Sequence, residues 1–455
     1  METNVNDKPK FFYMGRDVPK ADSFIRGAYI ALICISVVEF YSASSSVIRN
    51  GAIFSPVISH VFSLLLGVLV MYVTSRIHYS YFRLLIPVFA LLSMVAVIYS
   101  SFFGETINGA HRTFSLGFIN VQPPEFVKLS AALITALILS NSQLPDRPGV
   151  TNKGLAIAAG AILVFGALLF SEGLTNTILM MTISLSVMIC SGVGVKKFFI
   201  VMLVYAIVGA CGVVYKISHR DDKSQPEEYV IAQVDKSAEN KGGGLSNRSG
   251  EWLFRIFDFF RGDSVPLYEQ DITSKNAQKM YSHLAQAHGG VVGVMPGNAR
   301  ENTRLPLVSS DFIYALIIED FGLIGGLIVL FLYIFIFVRA GDLSRRCNAT
   351  FPKLLLLACG VMIVFQALFH MSIVTGAFPV SGQPLPLISR GGTSILATSV
   401  AFGVMLSVTR FADFGGRKKK RKAKQAAEEA NLNLDNVDNI DDEPVTDEYI
   451  KSQLD

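Results

Sequence analysis

The sequence predicts an all-α polytopic membrane protein of about ten transmembrane helices, with one large extracytoplasmic loop between the seventh and the eighth. Three observations carry this. Of the 455 residues, 51% are hydrophobic and only 17% are charged, against roughly 25% charged residues in a soluble globular chain. The apolar residues fall in long unbroken runs, and the mean hydropathy is +0.44. Lys and Arg, finally, gather in alternate connecting segments, the pattern of loops that face the cytoplasm. A span takes roughly 20 apolar residues, so ten would use about 200, which the chain can supply. This composition excludes a soluble multidomain enzyme, a disordered chain and a disulfide-stapled secreted domain.

The apolar runs, in order, are Phe24–Ser44, Ile53–Thr74, Leu84–Phe102, Phe126–Leu139, Leu155–Phe170, Ile178–Ser191, Phe198–Tyr215, Phe312–Val338, Leu354–Val374 and Ile395–Val408. Basic residues precede the first (Lys8, Lys10, Arg16, Lys20). They recur at Arg76 and Arg83, at Lys196 and Lys197, at Arg339, Arg345, Arg346 and Lys353, and after the last span in the run Arg417–Lys424. An even number of spans puts all of these, and both termini, on the cytoplasmic side of the inner membrane. No small-residue cleavage site follows the first apolar run, so the N-terminus does not read as a cleavable signal. The organisation is then a cytoplasmic arm (1–23), a membrane domain (24–412) with a large periplasmic loop inserted at 216–311, and a cytoplasmic tail (413–455), basic and then acidic.

Within the large loop, 218–249 is polar and reads as a mobile stretch. Trp252, Ile256 and Phe259 have the helical spacing of short amphipathic helices on the membrane surface. The five cysteines (Cys34, Cys190, Cys211, Cys347, Cys359) lack metal-ligand spacing and read as small buried hydrophobes. The phosphate-cradling GxxxxGK[ST], the zinc motif HExxH and the nucleophile elbow GxSxG are absent. Catalysis would therefore come from carboxylates and cations at the outer face, where three polar clusters sit.

The first cluster runs from Asn108-Gly-Ala-His-Arg112 to Gln122-Pro-Pro-Glu125-Phe-Val-Lys128. Glu125 and Lys128 are three apart at a helix start and share a face. They either neutralise one another and anchor the helix, or form with Arg112 a cationic cavity wall. In the second, Leu305–Tyr314, Asp311 stands just before a long apolar run, as a helix cap or as a general base tuned by partial burial. The third, Phe378–Ser394, is rich in Pro and Gly and carries Ser381 and Arg390. Irregular backbone at membrane depth needs partners from protein or water, which predicts a re-entrant cavity wall. Arg390 there either snorkels to the surface or holds an anion, phosphate as readily as carboxylate. Gly289, Gly290, Gly293 and Gly297 predict tight turns or close packing, one of Glu319 and Asp320 is expected to face the bundle interior, and His283, His288 and His370 read as lone histidines without metal.

Together these clusters resemble the SEDS family of bacterial membrane proteins, which includes FtsW, RodA and SpoVE. Asn108–Arg112 resembles the family's NGAxRW element, Gln122–Lys128 its QPSExxK, Gly289–Asn298 its GGxxGxGxGN run, Asp311–Ala315 with Glu319 its DFIFA…EE segment, and Pro384–Ser394 its PLPFISYGGSS. Tyr41–Ser44 resembles the end of its first span. The order of these elements is kept across almost the whole membrane region. The resemblance implies a peptidoglycan glycosyltransferase that polymerises lipid II at the outer face of the cytoplasmic membrane, working with a class B penicillin-binding protein. In the family, the aspartate matching Asp311 is the residue most closely tied to catalysis. Substrate contacts are then expected from Arg112, Gln122, Glu125, Lys128, Ser381, Arg390 and Glu319, with Arg112, Lys128 and Arg390 on the diphosphate. No cofactor is certain; a divalent cation, Mg or Mn, is the one the chemistry would use. The implied partners are lipid II, undecaprenyl lipid, a septal transpeptidase and other divisome proteins, with no nucleic acid.

The chain also departs from the pattern. Thr113 stands for Trp, Pro124 for Ser, Leu307 for Glu, Ser381 for Lys and Arg390 for Tyr, and Ser171–Thr177 replaces a QPDLGT-like loop. Arg390 would restore the cation missing at Ser381. The Glu-Gly-Leu-Thr-Asn-Thr and Gly-Gln-Pro-Leu-Pro-Leu-Ile-Ser-Arg forms, with the long tail, are most like FtsW proteins of the Bacteroidetes, hence a septal role over a RodA-type elongation role. The competing classes are a lipid II flippase and a non-catalytic scaffold for the penicillin-binding protein.

Overall fold

The structure is a computed structural model and describes residues 10–13, 18–49, 55–103, 105–107, 110–116, 119–144, 149–218, 269–273 and 276–414. Ten helices correspond in order to the ten apolar runs: α1 (Ser23–Arg49), α2 (Ser55–Arg76), α3 (Phe82–Phe103), α4 (Pro123–Asn141), α5 (Asn152–Glu172), α6 (Leu174–Cys190), α7 (Val195–Ser218), then, after the amphipathic α8 (Ala277–Gly289), α9 (Ile313–Arg346), α10 (Thr350–Val374) and α11 (Gly392–Phe411). Among the described residues nine helices are long and apolar enough to cross a membrane, and α6 is a shorter apolar one. Most helices outlast their apolar runs, because helical hydrogen bonding continues through the polar residues at each end. The expected mobile stretch at 218–249, the surface helices around Trp252 and the tail beyond 414 lie outside the described residues.

Local chemistry sets the boundaries. α4 opens on Pro123 and Pro124, whose missing N–H groups have no helical partner to lose, followed by Glu125 in the first turn. The Thr151 hydroxyl caps α5 by accepting the Gly154 N–H at 3.2 Å. α5 and α6 are divided at Gly173, whose φ of 155° suits glycine. Between α3 and α4 lies a feature hydropathy gives no sign of, an antiparallel sheet of three short strands: β1 (Glu105–Ile107), β2 (Ala110–Leu116) and β3 (Ile119–Val121), paired in the order β1-β2-β3. Phe114 faces Val121 and Ile107 faces Ala110 in its register.

Contacts sort the connections into two ends. At one end Tyr13 N donates to Arg76 O (3.2 Å), Asp22 pairs with Arg339 (2.6 Å), Gln143 reaches Ser191 O (3.2 Å) and Asn348 N donates to Asp413 O (3.2 Å). The N-terminal arm and the α2–α3, α4–α5, α6–α7, α9–α10 and post-α11 segments therefore share that end, in agreement with the alternation of basic loops. The sheet, α8 and the segments before α9 and α11 occupy the other. α4, α10 and α11 are the most enclosed helices, and α7 is the most exposed. Of the cysteines, Cys359 is buried, but Cys34 and Cys211 lie on exposed faces. The expectation of burial fails for those two because an apolar run does not reveal whether protein or lipid covers it.

The long run of α9 is not one straight helix. At Gly322 the backbone turns out of helical geometry (φ 70°, ψ −173°). The groups released are taken up by the glycine-rich segment after α8: Leu323 N donates to Gly290 O (2.9 Å), Val294 N to Glu319 O (3.0 Å) and Met295 N to Asp320 O (2.8 Å). The approach is so close that a Cβ on Gly322 would stand 2.2 Å from Val291 O, and one on Gly293 2.3 Å from Asp320 O. This interlock is the physical content of the glycine run.

Candidate functional site

The site is assembled where the segment 375–391 re-enters the bundle. From Pro384 to Ser389 this non-helical stretch is buried, so each of its backbone groups needs a partner. Distant side chains supply them. His370 Nδ1 donates to Gln383 O (2.7 Å), Tyr333 OH to Pro386 O (2.6 Å) and Ser36 Oγ to Ile388 O (3.1 Å). Ser389 Oγ accepts from Leu385 N (2.7 Å) and donates to Ser310 O (2.6 Å). Arg390 N donates to Ser309 O (2.8 Å). Leu387 is held at φ 65°, a conformation that costs about 1–3 kcal/mol and persists only where surroundings over-determine it. A re-entrant wall was expected here, and this is its construction.

Residues 309–311 lie alongside this wall. Asp311 is half-buried, its N–H donates to Leu307 O at 2.9 Å, and its carboxylate rests against Gly382: a Cβ there would be 2.9 Å from Asp311 Oδ2. α9 begins at Ile313 with Phe312 as its cap residue and no side-chain cap. Asp311 is therefore not the cap residue of α9. Ser381, half-buried, adjoins Gly382, and its Oγ has no hydrogen-bond partner in the structure.

The next residue, Gln383, joins Asp311's surroundings to the Glu125–Lys128 pair. Lys128 is fully buried and donates to Glu125 Oε1 (2.7 Å) and Gln383 Oε1 (3.2 Å). Gln366 donates to Glu125 Oε2 (2.9 Å), and Gln383 Nε2 to Asn176 (2.9 Å). One ammonium, one carboxylate and three amides thus balance each other inside the bundle, with Gln366 Oε1 and His370 Nε2 left over as buried acceptors without a partner. Lys128 brings no unspent charge to a ligand. Its ammonium is committed before any substrate arrives.

The remaining predicted residues are spread more widely. Gln122 is exposed, with its backbone N–H on Thr393 Oγ1 (3.2 Å). Arg112 is on strand β2, and its side chain lies outside the described residues. Arg390 is exposed, its guanidinium 5.8 Å from the ring centre of Phe40. Glu319 is buried away from the re-entrant wall, on the glycine-rich segment. Its Oε1 accepts from His288 Nδ1 (2.9 Å), Arg300 N (2.8 Å) and Glu301 N (3.2 Å). Asp320 is equally buried, so both acidic neighbours face inward. Sequence reasoning gave no role to Asn176, Gln366, His370 or Gln383. The spacing of Gln366 and His370, four apart on an apolar helix, was a usable signal, since it puts both on one face. Outside the membrane, burial and the nearby Lys279 hold the His283 imidazole below its usual pKa. Among the described residues no group of three or more His, Cys, Asp or Glu side chains gathers as a metal cage.

Comparison with known proteins places this arrangement. At 25% identity over 416 residues, the chain is similar to the probable peptidoglycan glycosyltransferase FtsW of Enterococcus hirae, with 89% of this chain and 95% of the relative covered. It is 26% identical to the peptidoglycan glycosyltransferase MrdB of Escherichia coli over 353 residues, covering 75% and 82%. Among solved structures, RodA of Thermus thermophilus shares the fold with a TM-score of 0.57 at 18% identity, over 86% of this chain and 98% of that one. A chain of a peptidoglycan synthase complex does so with a TM-score of 0.62 at 19% identity, over 86% and 98%. The family described as cell cycle protein, FtsW/RodA/SpoVE, matches residues 23–245 and 255–413, and the chain belongs to it.

Proposed function

We infer that the chain is a peptidoglycan glycosyltransferase that polymerises lipid II into glycan strands at the outer face of the inner membrane, in the division septum. The observation that carries this reading is the pair Gly382-Gln383. Gly382 lies against the Asp311 carboxylate, and Gln383 is locked to the buried Lys128 and to Asn176. A half-buried carboxylate is thus fixed on a rigid wall at the end of the bundle opposite the basic loops. The relatives that carry this activity in their names support it.

Lipid II presents a sugar joined to a diphosphate. In transfer, an acceptor hydroxyl forms a bond to the anomeric carbon while the bond to the diphosphate breaks, and the electron pair leaves with the lipid diphosphate. Asp311 takes the hydroxyl proton. Arg390, and Arg112 on β2, offer guanidinium forks to the diphosphate. A divalent cation would add to that positive charge. Lys128, already paired, acts as a positioning residue that keeps Gln383 and Gly382 in place. An apolar groove of about 340 Å³ between α1 and α2, lined by Val37, Val38, Phe40, Tyr41, Val57, His60 and Val61, suits the isoprenoid tail, and Arg390 lies over Phe40 beside it.

A class B penicillin-binding protein is the partner, in line with the synthase-complex chain whose fold this one shares. Placing both termini in the cytoplasm rests on the basic segments, of which those among the described residues lie at one end of the bundle. The test is polymerisation of lipid II by the purified chain with that partner. Asp311→Asn is expected to lower the rate by about 10²–10⁴-fold. Polymer formed at the unaltered rate would remove Asp311 from the chemistry, and no polymer from the unaltered chain would leave a scaffold. Lipid II crossing vesicle membranes without polymer would favour a flippase. Depletion in cells separates the branches, with filaments for the septal role and rounding for elongation.

A further inference from the structure

On the other side of the same end of the bundle, α1 and α9 bring together two carboxylates that the proposed chemistry does not use. Glu39 and Asp320 are both fully buried. All four of their carboxylate oxygens lack a hydrogen-bond donor in the structure. The two groups are close enough to repel one another, and Glu319 adds to the negative field on Asp320. The local N–H donors are committed elsewhere. Met295 N and Val294 N go to the carbonyls of Asp320 and Glu319, and Gly297 N goes to Ser42 Oγ (3.0 Å). Asn302 Nδ2 goes to Ser42 O. Ser42, one turn beyond Glu39 on the same face of α1, stands beside Asp320 without a hydrogen bond of acceptable geometry to it. Its hydroxyl is a further oxygen turned to the same place.

A buried carboxylate without donors or counter-charge is among the most costly groups a membrane bundle can hold. The contrast with Glu319, one residue away with three donors on its Oε1 and none on its Oε2, shows that this fold can supply N–H groups to an acid here and supplies none to Glu39 or Asp320. We propose that Glu39 and Asp320, with Ser42, bind a hard divalent cation of the Mg²⁺ class that fastens α1 to α9. All the donors are oxygen, which selects against soft metals. Mg²⁺ is characteristically held by one or two carboxylates and completes its shell with water, so two side chains suffice. A divalent ion cancels both charges, whereas a monovalent ion leaves one uncompensated. The site lies apart from Asp311 and does not depend on the glycosyl-transfer reading.

The experiment uses the full chain in detergent, with Mn²⁺ as an electron-paramagnetic-resonance probe and melting temperature followed with Mg²⁺ against EDTA. One Mn²⁺ per chain, competed off by Mg²⁺, and a melting temperature that rises with Mg²⁺ are expected. The isosteric Glu39→Gln and Asp320→Asn variants are expected to weaken Mn²⁺ binding at least 10-fold, and Asp311→Asn to leave it unchanged. Glu39→Asp keeps the charge but shortens the reach, and is expected to weaken binding about 3–10-fold, which preserves the test should the neutral variants fail to fold. Absence of Mn²⁺ binding, binding indifferent to Glu39 and Asp320, or melting that responds to pH but not to Mg²⁺ would overturn the proposal; the last result would mean that protons neutralise the pair.

Discussion

Two buried polar clusters at the same end of the bundle treat charge in opposite ways. Around Lys128, an ammonium, a carboxylate and three amides come from α4, α6, α10 and the re-entrant wall, and the charges cancel from within. Around Glu39 and Asp320, two carboxylates meet between α1 and α9 with no donor for any of their oxygens. The first cluster is balanced in charge as folded and stiffens the wall that Asp311 rests on. The second is complete only with positive charge from outside the chain. In a low-dielectric bundle the matched cluster is architecture, and the unmatched one is the place proposed for a cation.

The most severe way to break that comparison is to unmatch the first cluster. Lys128→Met strands Glu125 in the interior and is expected to lower stability by about 3–5 kcal/mol, read by unfolding in a denaturing detergent titration. Adding Glu125→Gln should recover much of the loss. Equal stability of the single and double variants would show that Glu125 finds other compensation.

Next in size is the junction between the wall and the carboxylate. Gly382→Ala places a methyl 2.9 Å from Asp311 Oδ2 and is expected to slow polymerisation by about 10–100-fold through misplacement of the carboxylate. Melting should scarcely change, because residue 382 is exposed. An unchanged rate would separate Asp311's position from the wall.

His370→Ala removes the donor to Gln383 O and should cost about 1–3 kcal/mol, since a buried carbonyl is left unpaired. The activity loss is expected to exceed that of a stability-matched variant at the opposite end, because Gln383 also holds Lys128.

The smallest effect belongs to that opposite end and serves as the control. Burial works against ionisation of Asp22, but its bond to Arg339 and the N–H groups of Ile25 and Phe24 outweigh it and hold its pKa below 3.8. Because the folded value lies below the unfolded one, the contribution is present above pH 3.8 and lost as pH falls through the lower folded value. Asp22→Asn should therefore destabilise by about 1 kcal/mol at neutral pH, with the difference fading in acid below that point. A difference that persists there would assign the effect to packing instead of charge.

Much of this was legible in the residues. Asp311, the Glu125–Lys128 pair and the irregular wall at 378–394 each announced themselves as polar or helix-breaking residues beside apolar runs. The same rule passed over Gln366 and His370, single polar residues inside a long apolar helix, whose meaning depends on what stands opposite. Glu39 was missed for the same reason, and Glu319 and Asp320, of which one was expected to face inward, are both buried, with three donors on Glu319 Oε1 and none on the Asp320 carboxylate.

The sequence by itself determined the number, order and approximate limits of the membrane helices and the alternation of the two ends. It could do so because bilayer thickness and the placement of Lys and Arg are constraints on single segments. Only the tertiary structure decided which buried charges are balanced. Lys128 and Gln383 are 255 residues apart, and whether a side chain in a span meets a donor, another acid or lipid depends on the neighbouring helix, which no local pattern encodes.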